Sequence, residues 1–259
     1  MDCIRGVMEG IDSMDCSTGF CSCGTVHPAT DTKDGRWSRR GLLRSGLTVG
    51  AFAAGFGKTL VMPSLARAQT AMTPEKALKE MMDGNKRFIQ QDLTSFNEDL
   101  DILKKKAAEG QSPFAALLSC ADSRVPVELV FDQSIGRLFV TRVAGNIATA
   151  DMMASLEYGV AVLGAKAIMV LGHSSCGAVK ATIDGKAVPG QISALYRSIR
   201  PAVDQAGKNL EAAIKANAKI QAGLLRTSSP VFAEMLAKGE LKIAAAHYDI
   251  ESGVVSILD

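Results

Sequence analysis

Four short and almost uninterrupted apolar segments constrain the fold of this 259-residue chain more than any other feature. They read FAALLSC (114–120), RLFVTRV (137–143), AKAIMVLG (165–172) and LKIAAAHYDI (241–250). A strand with one wet face alternates apolar and polar residues, whereas a strand that is buried on both faces is apolar throughout. The segments therefore predict the strands of a mostly parallel central sheet that is covered on both faces.

Helical stretches are predicted between these strands. Residues 149–163 are expected to form one helix, and the alanine-rich residues 202–226 are expected to form a long one. Alternating strands and helices indicate an α/β fold in which helices flank the sheet. A last strand at 254–258 follows a turn at 251–253, and we expect it to pair with the preceding strand as an antiparallel hairpin.

Two further helices are predicted ahead of the first strand, where they form an N-terminal helical arm. The first spans residues 73–91, with Thr73 as its N-cap and Pro74 at its first helical position. Because Gly84 interrupts the apolar face, this stretch is expected to be one helix or two short ones, lying outside the main core. The second helix covers residues 100–109.

The first 68 residues have the pattern of a leader. Arg39 and Arg40 precede an uncharged segment (45–57), and ARA at 66–68 is similar to a signal-peptide cleavage site. The arginine pair resembles the twin-arginine export signal, and the uncharged segment is shorter than the ~20 helical residues that span a bilayer. We therefore expect cleavage after Ala68 and a periplasmic or otherwise exported protein. The alternative is an uncleaved membrane anchor.

Cleavage would leave a single domain, residues 69–259, in which acidic and basic residues are equal in number. A surface without excess charge does not favour nucleic acid as a partner. Only Cys120 and Cys176 of the six cysteines would remain. Two cysteines in an exported protein are commonly joined, so one hypothesis is a non-enzymatic binding domain that is held by a disulfide.

A metal site is the competing hypothesis for the two cysteines. Cys120 ends the first predicted strand, while His173 and Cys176 follow the third. If these strands are neighbours, their carboxyl ends open into one crevice, where sheets of this kind bind ligands. Zinc prefers nitrogen and sulfur ligands, and a set of three protein ligands leaves the fourth tetrahedral position open for catalysis.

Asp122 and Arg124 follow closely after Cys120. A carboxylate at this position could bind the metal or accept a hydrogen bond from the metal's water, and an arginine could hold it ionised with two hydrogen bonds. The alternative is an acidic residue at a helix start with a surface ion pair.

The segments CADSRVP (120–126) and GHSSCGAV (172–179) resemble the two signatures of the β-class carbonic anhydrases, C-x-D-x-R and H-x-x-C. The resemblance extends to GNKRF (84–88), to residues 131–146 and to residues 241–255. It implies zinc-dependent, reversible hydration of carbon dioxide to bicarbonate and a proton. It also implies that Cys120, His173 and Cys176 bind the zinc ion.

The resemblance further assigns Asp122 and Arg124 as the catalytic pair, with Asp122 as a possible fourth zinc ligand. In the plant-like subgroup, residues at the positions of Gln111, Phe139 and Tyr158 contact substrate or line its pocket. Without the resemblance, Gln111 would be an ordinary loop residue, and the two aromatic residues would belong to the core.

Four further expectations concern the pocket, the assembly, the subgroup and the activity. Backbone N–H groups at Gly177, where a helix is expected to start, could stabilise the negative charge that develops on substrate. Family members associate as homodimers or multiples of dimers. Trp37 is the only tryptophan and precedes the predicted cleavage point, which argues against the bicarbonate-inhibited subgroup. Hydrolysis of CS2 or COS at the same zinc site is the alternative activity.

Overall fold

The computed structural model describes residues 70–95 and 100–258, so the predicted leader lies outside the described part of the chain. Five strands form one sheet with the order β2-β1-β3-β4-β5. The first four are mutually parallel, and β5 runs antiparallel to β4. This confirms the α/β fold and the closing hairpin. The strands are β1 (Ala115–Ser119), β2 (Leu138–Arg142), β3 (Ala167–His173), β4 (Lys242–Tyr248) and β5 (Val255–Ile257).

Helices cover both faces of the sheet, and alternate strand residues reach opposite faces. Leu117 packs in the cluster that includes helices α1 and α3, whereas its neighbour Leu118 packs in the cluster that includes α4, α7 and α8. Every residue of β1 and β3 is buried, which explains why these strands are apolar without alternation. The helices are α1 (Pro74–Ile89), α2 (Leu100–Glu109), α3 (Val127–Val130), α4 (Ala150–Glu157), α5 (Gly177–Asp184), α6 (Ala194–Ala206), α7 (Leu210–Ser228) and α8 (Pro230–Ala237).

Helix α1 begins as predicted, because the Thr73 side chain accepts a hydrogen bond from the Lys76 N–H at 3.3 Å. The helix is continuous through Gly84, where a Cβ atom would lie 1.8 Å from the Phe131 carbonyl oxygen. Glycine therefore permits a close helix–backbone approach and does not break the helix. The expectation that α1 lies outside the main core is wrong, since Met81 is fully buried in the cluster beside the sheet.

A buried asparagine ties α1 to the closing hairpin. The Asn85 side chain is 2% exposed. It donates to the carbonyl oxygens of Val130 at 3.1 Å and Gly253 at 2.9 Å, and it accepts from the Val255 N–H at 2.9 Å. All of these hydrogen bonds are made to backbone atoms, so they fix the position of α1 against the hairpin.

The predicted helix at 202–226 is wrong in its extent, because two helices occupy this region. Helix α6 ends at Ala206 and is capped by Gly207, which has a φ of 64°. Helix α7 starts after Asn209, whose side chain accepts from the Ala212 N–H at 3.0 Å. The stretch predicted at 149–163 is α4 followed by a π-helical segment, Tyr158–Val162. Among the described residues, no helix is both long and apolar enough to cross a membrane.

Candidate metal centre

The carboxyl edge of the sheet holds the three predicted metal ligands. Cys120 follows β1 directly, His173 is the last residue of β3, and Cys176 immediately precedes α5. Because β1 and β3 are hydrogen-bonded neighbours, their ends open on the same crevice. The Sγ atoms of the cysteines and a ring nitrogen of His173 lie within 4.8 Å of one another, and all three residues are buried. A single ion is therefore within reach of all three atoms.

The histidine in this cluster is oriented for metal binding. His173 Nδ1 lies 3.0 Å from the Ser174 carbonyl oxygen, which can only accept a hydrogen bond. This contact places the proton on Nδ1 and leaves the Nε2 lone pair free, as in metal-bound histidines. Nε2 is buried and has no hydrogen-bond partner. A buried nitrogen without a partner is costly, so a cation at this point would remove an energetic penalty.

The surroundings of the two cysteines shift the pKa values of their thiols in opposite directions. Hydrogen bonding from Cys176, with a smaller contribution from the Gly145 N–H, lowers the pKa of Cys120 to about 4 although burial opposes it. The hydrogen bond to Cys120 and burial raise the pKa of Cys176. Both cysteines are free, which is contrary to the disulfide hypothesis. Two cysteine sulfurs, which bind a metal as thiolates, and an imidazole nitrogen form a donor set that suits Zn²⁺.

Asp122 and Arg124 lie at the mouth of this cluster. Asp122 Oδ1 accepts from the Arg124 backbone N–H at 2.9 Å and from Nε at 3.0 Å, while Oδ2 accepts from Nη2 at 2.8 Å. These hydrogen bonds with Arg124 hold the pKa of Asp122 well below its usual range. Asp122 Oδ2 is 3.9 Å from His173 Nε2, so an ionised carboxylate faces the metal-binding atoms.

Arg142 is a supporting residue that the sequence did not identify. From the end of β2 it donates through Nε to the Cys120 carbonyl oxygen at 2.9 Å, and through Nη2 to the carbonyl oxygen of Asp122. The arginine thereby holds the backbone that carries both a ligand and the carboxylate. Its only sequence signal is a charge at the end of an apolar strand.

Gly177 is the first residue of α5, as expected. The N–H groups in the first turn of a helix have no partner within the helix. A Cβ atom added at Gly177 would meet no atom within 4 Å, so open space adjoins this backbone. The helix start beside Cys176 is thus accessible to a small ligand.

Gln111, Phe139 and Tyr158 do not join the metal ligands. Gln111 precedes β1, and a Cβ atom added at Gly136 would lie 3.9 Å from its Cα atom. Phe139 pairs with Ala116 near the start of β1, and its ring centroid is 6.1 Å from that of Tyr158. All three therefore lie towards the amino edge of the sheet. At ~3.3 Å per residue, the length of β1 separates them from the cluster by on the order of 13 Å.

Comparisons with known proteins agree with a zinc site at the carboxyl edge of the sheet. A family model described as carbonic anhydrase matches residues 115–255. Carbonic anhydrase 2 of Mycobacterium tuberculosis is 32% identical over 194 residues, covering 72% of this chain and 93% of the relative. The carbonic anhydrase of Pseudomonas aeruginosa is 37% identical and covers 70% of this chain and 88% of the relative.

Solved structures give the same result. The β-carbonic anhydrase CcaA has a TM-score of 0.56 and 28% identity, covering 70% of this chain and 95% of that one. A β-carbonic anhydrase of Coccomyxa in complex with acetazolamide has a TM-score of 0.55 and 26% identity, covering 73% of this chain and 87% of that one.

Proposed function

This chain belongs to the β-class carbonic anhydrase family, and from that premise we propose how its own side chains carry out the reaction. The activity is the zinc-dependent, reversible hydration of carbon dioxide to bicarbonate and a proton. The observation that carries this conclusion is the buried cluster of Cys120, His173 and Cys176, with the partnerless His173 Nε2. When bound there, zinc acidifies a water molecule and so supplies a nucleophile near neutral pH.

Asp122 is proposed to orient the attacking oxygen. The ionised carboxylate has no proton to donate, so it can only accept a hydrogen bond from that oxygen. Accepting the O–H hydrogen bond aims the oxygen lone pair at the carbon atom of carbon dioxide. Because Arg124 engages both oxygens of Asp122, we favour this role over direct binding of the metal. The N–H group of the exposed Gly177 would stabilise the charge that forms on the substrate oxygen.

A second copy of the chain is proposed to supply Gln111, Phe139 and Tyr158. The resemblance places all three beside substrate, yet one chain holds them at the edge of the sheet opposite the zinc ligands. Both statements hold if the amino edge of one protomer faces the carboxyl edge of its partner. A two-fold axis would then complete two equivalent sites. Gln111 would donate to a substrate oxygen, while the rings keep the pocket apolar for a nonpolar gas.

Two exposed apolar side chains support this arrangement. Tyr158 is 44% exposed and Val162 is 39% exposed, four residues apart on the π-helical segment. A partner that covers them would remove apolar surface from water, which stabilises association. We therefore propose a homodimer or a multiple of dimers, as in the plant-like subgroup of the family.

Export by the twin-arginine route is proposed for the cellular context. Its support is the sequence pattern of Arg39, Arg40 and the ARA tripeptide at 66–68. Cell fractionation and N-terminal sequencing of the protein from its native host test it. We expect a periplasmic or otherwise exported chain that begins at Gln69, whereas a cytosolic, full-length chain would overturn the proposal.

Metal content and substrate preference test the activity. Protein starting at Gln69 is assayed for bound zinc, for hydration of carbon dioxide and for hydrolysis of CS2. We expect one zinc ion per chain, with hydration that acetazolamide inhibits. Turnover of CS2 without hydration of carbon dioxide would assign the site to the alternative reaction. Protein without zinc that is active would contradict the metal mechanism.

A further inference from the structure

The thiolate of Cys120 has a backbone hydrogen-bond donor that is itself held in place. The Gly145 N–H donates to Cys120 Sγ at 3.3 Å. The Gly145 carbonyl oxygen in turn accepts from Asn217 Nδ2 at 2.8 Å. Asn217 lies in the middle of α7, 72 residues further along the chain. A side chain of a distant helix thus reaches the ligand shell through one glycine.

The orientation of the Asn217 amide is fixed by its neighbours. Gln221 Nε2 donates to Asn217 Oδ1 at 3.1 Å and to the Ser198 carbonyl oxygen at 3.1 Å. Gln221 Oε1 accepts from the Ala148 N–H at 2.9 Å. Asn217 and Gln221 are both 0% exposed. Because each amide atom faces a partner of the complementary kind, Nδ2 of Asn217 is the atom that points to Gly145.

The Gly145 segment has little freedom to find another partner. Gly145 has a φ of 77°, which favours glycine, and an added Cβ atom would lie 2.7 Å from Ile199 Cδ1 and 3.3 Å from Ala178 Cβ. Side chains of α5 and α6 therefore pack closely against Gly145, while Asn217 of α7 donates a hydrogen bond to its carbonyl group. A change at Asn217 alters the hydrogen bonding of Gly145 without touching a metal ligand.

We propose that Asn217 is a positioning residue for the metal site, acting through Gly145 to hold the N–H hydrogen bond on the Cys120 sulfur. This inference rests on the proposed zinc site and extends it to a residue of α7. An N–H donor withdraws negative charge from a thiolate and fixes its direction, and partners of this kind tune both metal affinity and electronic structure. Their loss commonly weakens metal binding by about 10–100-fold.

The test compares two buried asparagines whose side chains donate to backbone carbonyl groups. Asn217→Ala removes the donor to Gly145, whereas Asn85→Ala removes a similarly buried amide that ties α1 to the hairpin. Zinc affinity is measured by competition with a chelator, and the thiolate-to-metal charge-transfer bands are recorded with Co²⁺ in place of zinc. We expect Asn217→Ala to weaken zinc binding about 10–100-fold and to shift the bands, while Asn85→Ala lowers thermal stability alone.

Wild-type zinc affinity and unshifted Co²⁺ bands in Asn217→Ala would overturn the inference, as would equal shifts in both variants. If Asn217→Ala does not fold, Asn217→Asp, which keeps the size of the side chain but replaces the N–H donor with an acceptor, takes its place, and the wild-type protein loaded with ¹¹³Cd²⁺ tests the Gly145 hydrogen bond itself. A scalar coupling between the Gly145 amide proton and the ¹¹³Cd nucleus is expected, and its absence overturns the inference. Wild-type protein that binds no metal would instead refute the proposed function.

Discussion

The two edges of the central sheet differ in how complete they are. At the carboxyl edge, one chain brings together two thiols, an imidazole and a carboxylate–guanidinium pair. At the amino edge, the same chain leaves Tyr158 and Val162 exposed, and Gln111 lies far from any reacting group. The first edge carries a complete set of metal ligands, whereas the second carries exposed apolar side chains of the kind found in protein–protein interfaces.

Under the proposed dimer, this difference would be a division of labour between two copies of the chain. Metal coordination requires precise ligand positions, and neighbouring strands of one protomer hold these ligands. The apolar lining of the pocket tolerates assembly by association, because apolar packing is less directional than coordination. The following predictions separate the two edges, beginning with the largest expected effect.

Loss of a zinc ligand should abolish the function of the carboxyl edge. We expect Cys176→Ser to weaken zinc binding by more than the ~10–100-fold that loss of an outer hydrogen-bond partner costs, and to abolish hydration of carbon dioxide. Gln111→Ala, at the amino edge, is the control and should bind zinc normally. Native mass spectrometry measures the zinc content of both variants, and a hydration assay measures their activity. A metallated, fully active Cys176→Ser protein would remove this cysteine from the ligand set.

Asp122→Asn should separate catalysis from metal binding at the same edge. The amide is nearly the same size, but it can present its N–H group where the carboxylate could only accept a hydrogen bond. Hydration should fall about 10²–10⁴-fold, as is common when a proton-accepting group is lost. Zinc content should stay at the wild-type level. Stopped-flow assays with metal analysis give the answer, and unchanged kcat/KM would exclude Asp122 from the mechanism.

A charge introduced at the amino edge should dissociate the proposed dimer without affecting zinc binding. Val162→Asp places a carboxylate in the proposed contact, which should weaken self-association by about 2 kcal/mol or more. Leu224→Asp is the matched control, since Leu224 is also 39% exposed but lies on α7. Sedimentation should show dissociation for Val162→Asp only, with zinc retained and activity reduced. Wild-type association of Val162→Asp would place the interface elsewhere.

Asp132 belongs to neither edge, and its charge is expected to affect the stability of the fold and not the metal site. Its buried carboxylate accepts from the Ser95 hydroxyl at 2.6 Å, from the backbone N–H groups of Thr94 and Ser95, and from Arg87. Burial alone would raise the pKa of Asp132, but these donors outweigh it and lower the pKa below its ordinary value of 3.8. Ionised Asp132 therefore stabilises the fold fully above that pH, and the stabilisation is lost as the pH falls below it.

Asp132→Asn should lower the free energy of unfolding by about 1–3 kcal/mol, because the donors lose a charged acceptor. The loss should shrink as the pH is lowered from 7 towards 3, while zinc content at pH 7 stays unchanged. Denaturant unfolding at several pH values measures this. A loss that is equal at pH 7 and pH 3 would show that the charge of Asp132 does not stabilise the fold.

Sequence patterns could predict the strands and the zinc ligands, because buried parallel strands are apolar throughout and the ligand motifs directly follow two of them. The break between α6 and α7 was missed because the alanine-rich stretch 202–226 contains the turn at Gly207 without losing its helical composition. Arg142 and Asn217 could not be predicted, since their partners are backbone atoms distant in sequence. The resemblance named Gln111, but only the sheet topology placed it at the opposite edge.

Complementation between two defective chains tests the shared site most directly. Asp122→Asn disables the carboxyl edge, and Gln111→Ala removes a substrate donor at the amino edge, a loss worth about 10²-fold or more for such donors. The two chains, carrying different tags, are coexpressed and the mixed dimer is purified. If the site spans two copies, the mixed dimer has one intact site and about half of the wild-type activity. Activity no higher than the mean of the two parent variants would contradict the account.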